Sequence, residues 1–290
     1  MKLIDSSYEI LEQESGLSGV FKAITEAGYT CYKTNKEITD ESAKKFVNDV
    51  LIKSNHGAML EHGTVYLKWD MVTEDYAHSR YYRYKLNKYS VVKTYEDDTY
   101  AYITTNYRVL VENGWLDDLA YEAVYEPKFE RRISVRFICD RGVSHELVRH
   151  RVFSFAMEST RYCNYSNDKF GNQLTFIIPS WYNEYNDTGF THNSRSVVFA
   201  VMCEESERQY FSLLDRGLKP QEARQVLPIS IKTEIVMTGF VSDWEHFFDL
   251  RTSIASTGQP HPDMKKLADP LYREFIERGY IKRPSSETIR

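Results

Sequence analysis

The stretch RHRVFSFAMESTR, residues 149–161, decides how the rest of the chain is interpreted. It opens with Arg149-His150-Arg151 and closes, after seven residues, with Ser159-Thr160-Arg161. Arginine binds phosphate bidentately and stays charged at any working pH. The intervening residues are largely apolar, which a solvated basic surface would not need. The stretch therefore predicts a pocket for phosphates and an aromatic ring, although for any single arginine a surface position at a helix end is the simpler interpretation.

The composition is that of an ordinary soluble globular protein. The chain has 290 residues, of which 42% are hydrophobic and 27% charged, and its formal net charge is −5. A net-acidic chain is a poor general nucleic-acid binder. No apolar run is long enough to cross a bilayer and no signal peptide is recognisable, so we expect a cytoplasmic protein with no membrane partner. The four cysteines are widely spaced and form no CxxC, which predicts buried thiols rather than disulfides or a zinc site.

Hydrophobic periodicity predicts helices and strands without a regular βαβ rhythm. It predicts strands over 63–72, 131–139 and 174–179, and helices over 39–54, 144–149, 194–216, 220–227, 242–252, 262–277 and the later half of 96–118. Thr39, Ser144 and either Ser242 or Asp243 are the expected N-caps. The type of 232–241 stays open. We expect a single α+β domain over 1–290, with a mixed or antiparallel sheet flanked by helices, and not a Rossmann fold, since neither GxGxxG nor a P-loop motif occurs.

Three further segments carry residues that could do chemistry. The first runs from His56 to His62, where the two histidines are six apart and so poorly spaced for a metal on a helix. The second is Arg224, close before Leu227-Pro228. The third is 242–251, where His246 and Arg251 interrupt an aromatic face. No metal site is expected.

Each of these features also has a purely structural interpretation. In a helix, Glu146 shares a face with Arg149 and His150, so an ion pair within the helix would explain them. Arg251 could likewise form an ion pair with Asp249, which lies two residues earlier.

The four segments together resemble the flavin-dependent thymidylate synthases. Arg149-His150-Arg151, seven residues and Ser159-x-Arg161 resemble the signature motif of that family. The segment from His56 to His62, Arg224 with Leu227-Pro228, and Asp249-Leu250-Arg251 resemble the family's other site segments, in the same order. The resemblance implies that family's fold and a homotetramer with shared sites. It also implies methylation of dUMP to dTMP, with methylenetetrahydrofolate as carbon donor, FAD as cofactor and NADPH as reductant.

The resemblance also implies roles for individual residues. The residues expected to bind FAD are His56, Ala58, Arg149, His150, Arg151, Met157, Ser242 and His246. The residues expected to bind dUMP are Glu146, Arg149, Glu158, Ser159, Thr160, Arg161, Arg224 and Arg251, and Arg251 is the expected catalytic residue.

The sequence departs from the family pattern at several positions. Ala58 replaces a frequent hydroxyl residue, Glu146 stands where glutamine is common, and Met157 stands where the family has a polar residue before the motif serine. These changes put a side-chain contact to flavin at Ala58 and a polar contact at Met157 in doubt, while Glu146 would accept a proton from the base or ribose. Residues 85–130 resemble an insertion whose role the sequence does not give.

The residues present suit an electrostatic route to methylation. No cysteine follows a proline, which argues against the unrelated cysteine-dependent thymidylate synthases. Ser159 has arginines for motif neighbours, and these cannot accept its proton, so it is expected to position the substrate. A guanidinium beside the uracil would favour the ionised, more nucleophilic base, since an opposite charge shifts a pKa by roughly 1–3 units. Arg251 is the candidate for this role.

Two alternatives of other classes remain. The first is a single-stranded nucleic-acid binder that uses arginines and some of the 22 tyrosines, and the net negative charge argues against it. The second is a nucleotide-binding regulator without turnover, which only the departures at Ala58, Glu146 and Met157 support.

Overall fold

The computed structural model describes residues 1–72, 80–167, 171–182, 195–254 and 258–282. Its strands are β1 (Lys2–Ile4), β2 (Ser7–Leu11), β3 (Thr64–Asp70), β4 (Val91–Thr94), β5 (Tyr100–Asn106), β6 (Arg132–Asp140), β7 (Ser154–Met157), β8 (Thr175–Ile177) and β9 (Lys232–Phe240). Its α-helices are α1 (Gly16–Tyr32), α2 (Asp40–Lys45), α3 (Gly57–Leu60), α4 (Tyr82–Leu86), α5 (Tyr107–Asn113), α6 (Arg141–Leu147), α7 (Arg195–Asp215), α8 (Pro220–Ala223), α9 (Val241–Arg251) and α10 (Pro262–Glu277). A π-helical turn, Phe46–Ile52, continues α2, and 3₁₀ turns cover Leu116–Tyr121 and Arg224–Val226.

A four-stranded antiparallel sheet in the order β2-β6-β9-β7 carries the main core. Alternate residues of β6 are buried, which is why its sequence alternates so clearly. Trp244, Phe247 and Phe248 of α9 and Phe275 of α10 cover this face of the sheet. The sheet therefore fixes where α6 and α9 begin, because each helix directly follows one of the two central strands.

A three-stranded antiparallel sheet in the order β3-β5-β4 forms a second layer of structure with its own core. The segment 85–130 supplies β4, β5 and α5, and β5 is the central strand, paired with β3 along seven residues. This segment is therefore part of the core. A parallel pair, β1 with β8, lies beside a third core that includes α7.

The expected α+β class is confirmed, and so are most of the predicted elements. The strand predictions at 63–72, 131–139 and 174–179 correspond to β3, β6 and β8, and the last helix has the predicted bounds. Thr39 caps α2 as expected, accepting a hydrogen bond from the backbone of Ser42. Ser194, where a helix was predicted to begin, lies outside the described residues, and α7 is described from Arg195. The undecided segment 232–241 is the strand β9.

Two predicted helix starts are wrong. α6 begins at Arg141 and not at Ser144, because the Asp140 Oδ1 accepts a hydrogen bond from the backbone N–H of Val143 (2.8 Å). It also ends at Leu147, before Arg149. α9 begins at Val241, directly after β9, and its N-cap is Phe240 rather than Ser242 or Asp243. The Asp243 carboxylate accepts a hydrogen bond from the backbone N–H of Phe240.

The cysteines behave as predicted. All four thiols are free, with Cys139, Cys163 and Cys203 buried and Cys31 half-buried. Within the described ranges, the helices include none that is both long and apolar enough to cross a membrane.

Candidate active site

The ends of α6 and α9 meet at Arg251, which contacts two other predicted site residues. Its Nε donates to His150 Nε2 (2.9 Å), one Nη donates to the Glu146 carboxylate (2.8 Å), and the other donates to the Glu146 carbonyl (3.2 Å). The partner of Arg251 is therefore Glu146, 105 positions away, and the interpretation with Asp249 is wrong. The ion pair within a helix is also wrong, because α6 stops before Arg149.

His150 is buried beneath this arginine and is held as a neutral imidazole. Its ring lies edge-on to Phe247, with ring centroids 5.0 Å apart. Burial, and then the charges of Arg251 and His246, lower the pKa of His150 to about 4. Since Arg251 donates to Nε2, the single proton of the neutral ring belongs on Nδ1.

We expect His150 to make the protein less stable in mild acid. Its folded pKa lies below the usual 6.5, so the unfolded chain binds more protons between these values. Its stabilising contribution is complete above pH 6.5 and is lost as the pH falls toward 4, by up to about 3 kcal/mol. Urea unfolding between pH 7 and 4 measures how steeply the free energy of unfolding falls with pH. His150→Gln should make this fall less steep, while His145→Gln, at an exposed histidine, should leave it unchanged. Equal pH dependence in both variants would contradict the assignment.

The motif residues after β7 form a corner held by Arg224. Its Nη1 donates to the buried Thr160 Oγ1 (3.2 Å), and the exposed Arg161 contacts Gln221 of α8. The backbone N–H of Ser159 is accepted by the carbonyl of Cys31 in α1 (3.0 Å). The hydroxyls of Ser159 and Thr160 and the guanidiniums of Arg161 and Arg224 are the groups of this corner that could contact a phosphate.

Glu158 belongs to a buried ion-pair network beneath this corner. Lys232 Nζ lies 2.8 Å from Glu158 and 2.8 Å from Glu234, and Glu234 also pairs with Lys33. Tyr165 donates its hydroxyl to Glu158 (2.9 Å). The Glu158 side chain is 1% exposed and contacts Lys232 and Tyr165, and its contact with dUMP remains a prediction.

The segment from His56 to His62 contacts the motif stretch through Glu61. Ser154 of β7 donates to Glu61 (2.6 Å), and the buried His62 pairs through Nδ1 with Thr238 of β9 (2.8 Å). His56 and Ala58, at the start of α3, are exposed and available to a ligand. Burial lowers the pKa of His62 to about 3, so this histidine is neutral and structural.

The remaining predicted flavin residues differ in exposure. Arg149, Arg151, Ser242 and His246 are exposed, and Met157 is half-buried at the end of β7. Phe153, two residues after Arg151, packs its ring directly against Gly239 of β9. A Cβ at position 239 would lie 2.4 Å from this ring, so the contact requires glycine. Arg151 lines a cavity of about 450 Å³ together with Arg132, Phe240 and other residues.

Sequence reasoning missed the charged residues that support this site. Lys232 and Glu234 alternate along β9, but the segment 232–241 was not recognised as a strand, so the face that they share was not predicted. Arg132 is half-buried, and its Nε has no hydrogen-bond partner in the described residues. No group of three or more histidine, cysteine, aspartate or glutamate residues in the described ranges could hold a metal ion.

Residues 112–278 match the family described as thymidylate synthase complementing protein. This match covers more than half of the chain and includes three of the four site segments. The protein belongs to this family.

Several curated relatives are flavin-dependent thymidylate synthases. That of Geobacter sulfurreducens is 33% identical over 113 residues, which cover 38% of this chain and 43% of the relative. That of Pyrococcus furiosus is 31% identical over 144 residues, covering 50% and 54%. A probable enzyme of Paramecium bursaria Chlorella virus 1 is 27% identical over 158 residues, covering 53% and 70%. The matched segments thus span about half the length of the first two relatives.

Among solved structures, the chain is similar to a UMP/dUMP methylase PolB from Streptomyces cacaoi bound with 5-Br dUMP. The similarity has a TM-score of 0.45 with 17% identity, and covers 96% of this chain and 93% of that one.

Proposed function

We propose that the protein is a flavin-dependent thymidylate synthase that methylates dUMP to dTMP. Methylenetetrahydrofolate would supply the carbon, and NADPH would reduce the bound FAD. One observation carries the proposal: the stretch 149–161 contacts all three of the other predicted segments. His150 meets Arg251, Ser154 meets Glu61, and Thr160 meets Arg224. Family membership and the names of the relatives support the same activity.

Arg251 would act on the uracil ring. A guanidinium has five N–H groups, and three are used by His150 and Glu146, which leaves two for a bound base. Its charge would favour the ionised uracil, in which the carbon that accepts the methyl group is more electron-rich. The neutral His150 fixes the guanidinium without adding positive charge. The chain thus supplies orientation and charge, while reduced FAD supplies the hydride when it is bound.

The nucleotide phosphate would lie at the corner formed by Ser159, Thr160, Arg161 and Arg224, with Arg149 able to reach it from the neighbouring turn. Two arginines with two hydroxyls offer bidentate and single hydrogen bonds to its oxygens. Glu146 would face the base or ribose, because a carboxylate beside the phosphate would be repelled.

The flavin would be held by the exposed side of the motif. Arg149, Arg151, His56 and His246 present cationic or imidazole groups there, and Ala58, Met157 and Ser242 complete the expected set. Buried cationic donors without a partner also fit the negatively charged diphosphate of FAD: Arg132, beside Arg151, is one.

A homotetramer with shared sites is part of the proposal. Val148 and Val152, which flank the motif arginines, are 37% and 66% exposed. The resemblance implies this assembly, and these two valines are candidates for a subunit contact. A cytoplasmic location likewise stays a prediction of the sequence.

The visible spectrum of the purified protein tests the proposal. It is recorded anaerobically, before and after adding NADPH with dUMP. We expect a flavin band that bleaches, followed by dTMP formation when methylenetetrahydrofolate is added. No flavin band, even after incubation with FAD, would overturn the flavoenzyme and favour a nucleotide or nucleic-acid binder.

Arg151→Ala should weaken FAD retention by roughly tenfold or more, because a charge-assisted contact to a phosphate is lost. The ratio of flavin to protein after gel filtration measures this. Arg208→Ala removes an exposed arginine of α7 that pairs within its own helix with Glu205, and should retain flavin. A fully yellow Arg151→Ala protein would refute the assignment of Arg151.

A further inference from the structure

The cavity beside Arg151 has a wall that the motif does not supply. Lys88 and Tyr89, which lie between α4 and β4, line it together with Asn106 at the start of α5. All three belong to the segment 85–130, for which the sequence suggests no role. The opposite wall is formed by the turn after Arg151 and by the end of β9. Two separate parts of the fold therefore enclose one cavity of about 450 Å³.

Three cations and two carboxylates line this cavity. Lys88, Arg132 and Arg151 line it, against the carboxylates of Glu61 and Asp243. Glu61 is already engaged by Arg108 (2.5 Å) and by Ser154 (2.6 Å). Asp243 accepts the N–H of Phe240. Neither carboxylate forms an ion pair with the three cavity cations in the described part of the chain.

Arg132 is the cation that most needs an anion. One Nη donates to the Glu61 carbonyl (3.0 Å) and to Thr64 (3.4 Å), but the buried Nε has no partner among the described residues. Burial lowers the pKa of this guanidinium to about 10. A buried donor without an acceptor is destabilising, and a charged oxygen in the cavity would relieve it.

Aromatic side chains give the cavity a second property. The Phe240 ring lies 5.4 Å from the Arg132 guanidinium, and the Tyr89 ring lies 4.9 Å from Lys88 Nζ. Tyr89 is 52% exposed, so one face of its ring is available to a planar ligand. Cations combined with exposed rings suit a nucleotide, whose phosphates and base need both.

We infer that this cavity binds the adenosine diphosphate half of a dinucleotide, and that Lys88 and Tyr89 are specificity-determining residues supplied by the segment 85–130. This inference rests on the proposed function, in which both FAD and NADPH carry that half. Lys88, Arg132 and Arg151 contact the diphosphate, and Tyr89 stacks on the adenine. The segment 85–130 thereby extends the motif's site with a wall of its own.

Calorimetric titration of the intact protein with ADP, after removal of any bound flavin, tests the inference. Lys88→Ala should weaken ADP binding at least tenfold, and Lys88→Arg should restore most of it. Lys85→Ala is the matched control, because Lys85 lies three residues earlier, is exposed and does not line the cavity; it should bind ADP as the wild type does. Equal ADP affinity in Lys88→Ala and wild type would overturn the inference.

The source of the ADP half is decided by two further measurements. If FAD occupies the cavity, Lys88→Ala should lose FAD and keep its affinity for FMN, which lacks the adenylate. If NADPH occupies it, the flavin content should be unchanged and the KM for NADPH should rise. ADP binding that depends on Lys88 in a protein that takes up no FAD would support the cavity and overturn the proposed flavoenzyme, so the two failures are distinguishable.

Discussion

Arg251→Ala should reduce dTMP formation by about 10²–10³-fold while leaving bound flavin nearly intact. The reduction is that expected when one charged donor is removed from the developing charge in an active site. Flavin should stay because Arg251 is not among the side chains proposed to hold it, and of that set it is shown to contact only His150, whose ring remains packed against Phe247. Single-turnover dTMP formation, measured beside the flavin spectrum, separates the two effects.

The Arg251→Lys variant separates the effect of the positive charge from the effect of the N–H directions. Lysine keeps the positive charge, but it cannot donate in one plane to His150, to the carboxylate of Glu146 and to the backbone carbonyl of Glu146. If charge alone favours the ionised uracil, this variant should recover part of the activity, mainly in kcat. If the fixed direction of the N–H groups matters, it should be nearly as inactive as alanine. Unchanged turnover in Arg251→Ala would remove Arg251 from the mechanism altogether.

In the proposed function, Glu146 would determine how much of the charge of Arg251 acts on the substrate. The pair is partly buried, with side chains 17% and 25% exposed, so its attraction is only partly screened. A glutamine at this position would accept the same hydrogen bond without offsetting the charge. In the proposed function, the carboxylate would hold the arginine more firmly than glutamine and would weaken its field at the uracil.

Local patterns in the sequence were enough to predict the elements with one buried face. β6 alternates because one side packs on α9 and the other does not, and α10 has helical spacing for the same reason. β9 could not be recognised, because it lies between two strands and is buried on both faces from Ile235 to Gly239, so its hydrophobic residues do not alternate there and fit a strand or a helix equally well. The predicted caps were wrong because α6 is capped four positions earlier, by Asp140, and because Asp243 lies in the first turn of α9 and accepts the N–H of the N-cap Phe240.

The contacts between the candidate site residues could not be predicted from local sequence patterns. Glu146 and Arg251 are separated by 105 positions, and nearer partners for both were available in the sequence. Only the antiparallel pairing of β6 with β9 brings the ends of α6 and α9 together. The motif predicts which residues form the candidate site, while the sheet decides which of them are in contact. The role proposed for Lys88 depends in the same way on where β4 and β5 place the preceding turn.

Lys232→Met should lower the free energy of unfolding by about 3–5 kcal/mol, because it leaves a buried carboxylate without its cation. Glu234 keeps Lys33, but among the described residues the side chain of Glu158 keeps only the hydroxyl of Tyr165. Chemical denaturation at pH 7 measures the loss. Lys22→Met is the matched control: Lys22 also bridges two carboxylates, Glu14 and Asp40 at 2.9 Å each, but at the surface, so its loss should be much smaller.

The same variant tests whether the network supports substrate binding. Glu158 donates its backbone N–H to the carbonyl of Glu234 (2.8 Å), and Ser159 follows directly, so movement of Glu158 displaces the phosphate corner. We expect Lys232→Met to weaken dUMP binding even where it is fully folded. Adding Glu158→Gln removes the unpaired charge and should recover part of the stability. If the double variant is no more stable than Lys232→Met alone, the cost does not come from the buried charge, and the network is not what holds Ser159 in place.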